Sequence, residues 1–287
     1  MTTTLTDALF ETLAEGLRSG TIIPCLGPQA LSDVRHRETG AKIPATSDEL
    51  ILAMNNGQPM APRLMYEFPR AAMHIELKSG RNKVTRFLSD TYGPDVWSPA
   101  ALHDALSELC PPLVIDLNRD TGLQKHYARR PHTLVVGVAR IAGTAFRYRL
   151  YRHGGEPDAG YEETSEDGID PALPVLFKPL GTPWPEANYI ASDADFVDYI
   201  TELMGGFAIP GFLKRFREGK RYLLLGFNLK RDTERMILND LLYAGAGGWA
   251  LLPETANRKG ERFLERHGLT PVTGDFAAQI KAPASAA

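Results

Sequence analysis

Apolar positions four apart open the chain: Leu5, Leu9, Leu13 and Leu17 share one face of a helix over residues 5–17, and Gly20 closes it. The pattern then stops alternating. Residues 21–27, TIIPCLG, form a compact apolar run that ends in Gly27, as a strand buried on both faces does when its tip feeds a turn. Thr46 and Glu49 stand at capping-box spacing ahead of LILAM, and helical periodicity recurs over 63–78, 81–92 and 99–109, so residues 38–109 predict a helical insertion. Runs rich in β-branched and aromatic residues at 112–118, 132–140, 146–153 and 174–181 predict strands, and 130–174 reads as a strand-rich excursion. Its acidic, Gly- and Pro-rich part, 153–174, predicts an exposed loop or ragged hairpin. Helices over 193–203, 210–218, 231–245 and 258–267 then alternate with strands over 221–227, 248–253 and 270–273. The whole predicts one α/β domain over 1–287, a Rossmann-like parallel sheet flanked by helices, with a frayed tail at 282–287.

Composition narrows the partners. With 32 Lys+Arg against 35 Asp+Glu the net charge is −3, so the basic excess that nucleic acid or an anionic membrane surface demands is missing. The N-terminal segment lacks a basic region and carries Asp7, Glu11 and Glu15, unlike a signal peptide, and no window reaches the length of a membrane span. Cys25 and Cys110 are too few for a zinc cage or a disulfide framework; both lie in apolar, strand-like runs and are expected as buried thiols in a reducing cytoplasm. His132 and His153 bracket a strand with no Cys, Asp or Glu at metal-ligand spacing.

Four blocks, in order, resemble the sirtuin-like family in its bacterial NAD-processing branch. IIPCLGPQAL at 22–31 stands where the family has a strand and a Gly-Ala-Gly loop that cradles the NAD pyrophosphate. Asp116-Leu117-Asn118-Arg119-Asp120 stands in place of a Thr-Gln/Thr-Asn-x-Asp motif. LFKPLGT at 176–182 stands in place of Lys-Leu-His-Gly, with the helix from Asp193 to Ile200 after it. YLLLGFNLKRDTERMIL at 222–238 looks like the family's strand, Gly-containing turn and following helix. The resemblance implies that Gly27, Asn118, Asp120, Gly226 and Asn228 form a cofactor-binding set. Each also has a plainer account: Asn and Asp cap and turn the chain at strand ends, and Gly226-Phe227-Asn228 makes a tight crossover turn.

Two departures from the family pattern change the expected chemistry. The resemblance implies a histidine general base in the third block, and Leu180 stands there, a side chain that accepts no proton. In the phosphate loop, Pro28-Gln29 removes one N–H donor and fixes one φ. The cofactor set is therefore read as vestigial, with no catalytic residue, no metal ligand and no resident cofactor; NAD is the alternative. The expected function is that of a catalytically inactive sirtuin-like protein, a pseudoenzyme that binds a protein partner as an accessory factor. The overall sequence is also similar to sirtuin-like nitrogen-fixation accessory factors, which implies nitrogenase or its assembly machinery as that partner. The alternatives are an NAD hydrolase of bacterial defence type with another base, and a sensor that binds NAD or ADP-ribose uncleaved. For a partner surface the sequence offers 153–174 and the Met- and aromatic-rich stretch 55–76, although the plainer account of 55–76 is the insertion packing on its own sheet. Pro183-Trp184-Pro185 reads as either a core plug or an interface anchor.

Overall fold

The run Ile22–Leu26 is buried at every position because the sheet it joins is covered on both faces. The computed structural model describes residues 3–141, 146–156 and 159–281. Twelve strands occur among them: β1 (Thr3–Thr4), β2 (Ile22–Leu26), β3 (Leu113–Asp116), β4 (Pro131–Gly137), β5 (Tyr148–Gly154), β6 (Glu162–Thr164), β7 (Val175–Lys178), β8 (Gly181–Thr182), β9 (Asn188–Tyr189), β10 (Arg221–Leu225), β11 (Gly248–Leu251) and β12 (Leu269–Thr273). Ten of them form one sheet in the order β1-β12-β11-β10-β2-β3-β7-β4-β5-β6, and β8 pairs β9 separately. Every neighbour pair from β1 to β4 is parallel; β5 and β6 run antiparallel. The fold is thus Rossmann-like α/β with a mostly parallel sheet, as expected, and the antiparallel strands β5 and β6 fall within the 130–174 segment.

The helices are α1 (Asp7–Ser19), α2 (Ser47–Met54), α3 (Pro62–Met65), α4 (Phe68–Ser79), α5 (Arg81–Tyr92), α6 (Ala101–Leu109), α7 (Gly122–Tyr127), α8 (Asp193–Met204), α9 (Gly211–Arg217), α10 (Asp232–Leu241), α11 (Arg258–Arg266) and α12 (Phe276–Lys281). Strand periodicity sorts side chains between the two faces. Ile23 and Cys25 join Phe196, Tyr199, Leu213, Ile237 and Phe263 from α8 to α11, whereas Ile22 and Leu26 join Leu13, Leu106, Tyr127 and Phe276 from α1, α6, α7 and α12. A third core, with Leu50, Ile51, Phe68, Leu88 and Tyr92, belongs to α2, α4 and α5 and takes in Leu31, Tyr189 and Ala191 from outside those helices.

Local chemistry explains where the elements depart from the periodicity. The helix expected over 63–78 is two, because at the break Glu67 reaches across to accept from Asp232 N (2.8 Å) and Thr233 Oγ1 (2.8 Å) at the start of α10. The strand expected over 112–118 ends at Asp116, whose Oδ1 accepts from Asn118 N at 2.9 Å and turns the chain. Cys110 is not in a strand: it is half-buried and ends α6 at φ +47°. Cys25 is fully buried, and burial drives its thiol pKa far above the usual range. The tail 282–287 lies outside the described residues. No helix among those residues is long and apolar enough to cross a membrane.

Candidate functional site

Strand order reverses beside β2, which continues to β3 on one side while β10 lies parallel on the other, and α/β sheets take ligands in the crevice at such a point. That crevice, between the loops after β2 and β10, is filled by the loops themselves. Gly27 N donates to Leu225 O (2.8 Å), Pro28 has no N–H, Gln29 N donates to Gly226 O (2.8 Å) and Ala30 N donates to Gly27 O (3.0 Å). The glycines permit this contact. A Cβ on Gly27 would lie 2.6 Å from the Phe227 ring and 2.7 Å from Gly226 O; one on Gly226, whose φ is +75°, would lie 2.4 Å from Ala30 N.

Beside the crevice, the ends of β3 and β7 bring the polar residues together. Asn118 Nδ2 donates to Gly27 O at 3.0 Å and to Asp116 Oδ1 at 2.9 Å, so it ties the second block to the first. Lys178 Nζ, fully buried, donates to Asp116 Oδ2 (2.7 Å) and to Asp120 O (2.8 Å), and lies 4.0 Å from Asp120 Oδ1. Asp120 Oδ2 accepts from Gly122 N at 2.7 Å and opens α7. Asn228 is the outlier of the five: its Oδ1 accepts from Lys230 N at 3.0 Å, within its own turn. Gly27, Asn118 and Gly226 meet at the crevice, Asp120 sits on the far side of Lys178, and Asn228 serves the loop after β10.

On one flank of the crevice lies a cavity of about 90 Å³. Leu180, Phe196, Phe227 and Ile237 give it apolar walls, Asn118, Arg119 and Glu234 are among its polar residues, and no histidine lines it. Arg119 is 7% exposed; its Nη2 donates to Ile190 O at 2.6 Å, its guanidinium stacks over Phe68 with 5.5 Å to the ring centre, and its Nε has no partner. Burial lowers its pKa. The Glu234 carboxyl is pushed up to about 7, first by burial and then by the charge of Glu67, against the pull of the Leu229 N–H and of Arg235 and Arg231; its Oε2 is unpartnered. On the other flank of Gly226, a cavity of about 530 Å³ runs past Gln29, Leu252 and Asp275.

Sequence reasoning missed Lys178, Arg119, Glu234 and His103. A lysine closing the apolar strand Val175–Lys178 was a usable signal, because an ammonium inside a sheet covered on both faces needs a carboxylate. His103, 1% exposed with both ring nitrogens unpartnered, gathers with Asp116 and Asp120 so that one donor atom from each lies within 4.8 Å of the others. That donor set resembles a metal site, but Lys178 already supplies the cation at Asp116. His132 and His153 stack at 5.0 Å, and the half-buried Trp184 packs on Tyr161 at 4.5 Å. In the 55–76 stretch, Phe68 is buried and Met60 and Met65 pack on the third core, while Tyr66 is 43% exposed.

Residues 112–272 match the SIR2-like domain family, a match that takes in the second, third and fourth blocks and points to an NAD-related function. No curated protein matches the chain.

Proposed function

Because the chain belongs to the SIR2-like domain family, whose match spans more than half of it, we propose that it is a member without NAD-cleaving activity that acts as a protein-binding accessory factor. One observation carries this reading. A pyrophosphate is held by backbone N–H groups left free at the loop and helix start after the first strand, and here Gly27, Gln29 and Ala30 spend theirs on Leu225, Gly226 and Gly27 while Pro28 has none. Leu180 supports it, because the side chain in the general base's place is apolar and faces apolar walls. The size of the adjoining cavity supports it as well: about 90 Å³ accommodates roughly six waters, far less than a dinucleotide.

The partner we propose is nitrogenase or its assembly machinery, on the strength of the overall sequence resemblance alone. The test is affinity purification at native abundance with mass spectrometry, and NAD turnover assayed on the same material. The expected result is one stoichiometric partner with NAD intact. Steady NAD loss would overturn the inactive reading, and recovery of no partner would overturn the binding one.

The 530 Å³ cavity beyond Gly226 favours a second reading, an uncleaving sensor of an ADP-ribose-like fragment seated at the ends of β10 to β12. Calorimetry with ADP-ribose at millimolar concentration decides it: absence of heat rejects the sensor.

A further inference from the structure

Arg119 is a buried cation without an anion. No carboxylate lies within ion-pair distance of it among the described residues, and two acids close to it in the fold are engaged elsewhere. Asp195 accepts from Ala191 N and Ser192 N at 3.0 Å each and pairs with Arg81 and Arg140; Glu67 caps α10. One carbonyl and one aromatic face do not replace the hydration that a guanidinium loses on burial. Such a group is an anion receptor, and its planar fork fits a carboxylate.

The cavity that Arg119 lines narrows the choice of anion. Phosphate needs several free donors around it, yet most other donors on these walls are spent, Asn118 on Gly27 O and Asp116, Tyr92 on Pro44 O, Thr233 on Glu67 and Arg231 on Asp48 and Tyr66 O, and the carboxyls of Glu67 and Glu234 share the lining with Leu180, Phe196, Phe227 and Ile237. A carboxylate with a short hydrocarbon body satisfies both halves of the site. Glu234 Oε2, without a partner on the same cavity, can in its neutral form donate to the ligand's second oxygen.

We propose that this cavity binds a small aliphatic carboxylate, with its oxygens on the Arg119 guanidinium and its hydrocarbon end on Leu180, Phe196 and Phe227. The site is independent of the protein-binding reading, since neither NAD turnover nor partner capture bears on it.

The probe is sodium butyrate, titrated into the ¹⁵N-labelled full chain at constant ionic strength, with butan-1-ol and sodium phosphate as comparators. Calorimetry and the Arg119 Nε–H resonance are followed together. Butyrate is expected to bind saturably and to move that resonance, while butan-1-ol and phosphate do neither. Arg119→Met should weaken butyrate by roughly tenfold or more, because it keeps the stem and removes the charge. Leu180→Trp, which fills the cavity and leaves Arg119 in place, should abolish binding, and it carries the test if Arg119→Met does not fold. No saturation at tens of millimolar, an equal response to phosphate, or full affinity in either folded variant overturns the proposal.

Discussion

Lys178 and Asp116 meet across the neighbouring strands β7 and β3, Nζ to Oδ2 at 2.7 Å, with neither side chain exposed to solvent. The ion pair does more than neutralise two charges. The same ammonium holds the carbonyl of Asp120, and the same carboxylate turns the chain at Asn118, so the geometry of the second block is set from the third.

Breaking that pair by Lys178→Met leaves Asp116 charged, buried and half-satisfied, and should destabilise the fold by about 3–5 kcal/mol in urea denaturation. Adding Asp116→Leu to Lys178→Met should recover part of the loss, because the orphaned charge goes too. Additive losses in the double variant would show that the two groups act separately.

The crevice depends on two absent side chains. Gly226→Ala combines an unfavourable φ of +75° with a Cβ 2.4 Å from backbone nitrogen, and should lower stability by roughly 2 kcal/mol or more. Gly27→Ala should be destabilising as well, and adding Phe227→Ala should not rescue it, because the contact with Gly226 O remains. A neutral Gly27→Ala would mean that the loops separate in solution.

Leu180→His restores the family's base without freeing any N–H for phosphate, so it should not release nicotinamide from NAD. Turnover by this variant, measured as nicotinamide formed, would reject the proposal that the engaged loop N–H groups prevent NAD cleavage.

Much of this frame is legible in the sequence wherever local pattern decides it. The 81–92 helix keeps its bounds, and Thr46 and Glu49 form the capping box their spacing implies, with Thr46 N donating to Glu49 Oε2 at 2.9 Å. The pattern misleads where a long-range contact overrides it, as at Glu67, which leaves its own segment to cap α10 from 165 residues away. The site is less legible. Pro28 and Leu180 show as departures from the family pattern, but periodicity does not reveal that Gln29 N finds Gly226 O, or that Arg119 Nε has no partner.

Glu234 predicts a pH signature. Its carboxyl ordinarily titrates near 4.5 and is raised to about 7 in the fold, so between those values the folded chain holds a proton that the unfolded chain releases. Stability from this group is therefore full below pH 4.5 and is lost as pH rises toward 7, by on the order of 2 kcal/mol. Glu234→Gln should lose that component, so the variant gains on the parent between pH 5 and pH 8 in paired urea titrations. Parallel pH profiles for the two proteins would rule it out.

The ten-stranded sheet ends in the two-residue β1 on one side and in β6, with exposed Glu162 and Glu163, on the other. Among the described residues neither border offers a run of open backbone groups long or neutral enough to template another chain, which disfavours growth by strand addition there. A protein that associates with this one is left the helical layers and the crevice, which makes recognition a matter of side chains rather than of main-chain pairing.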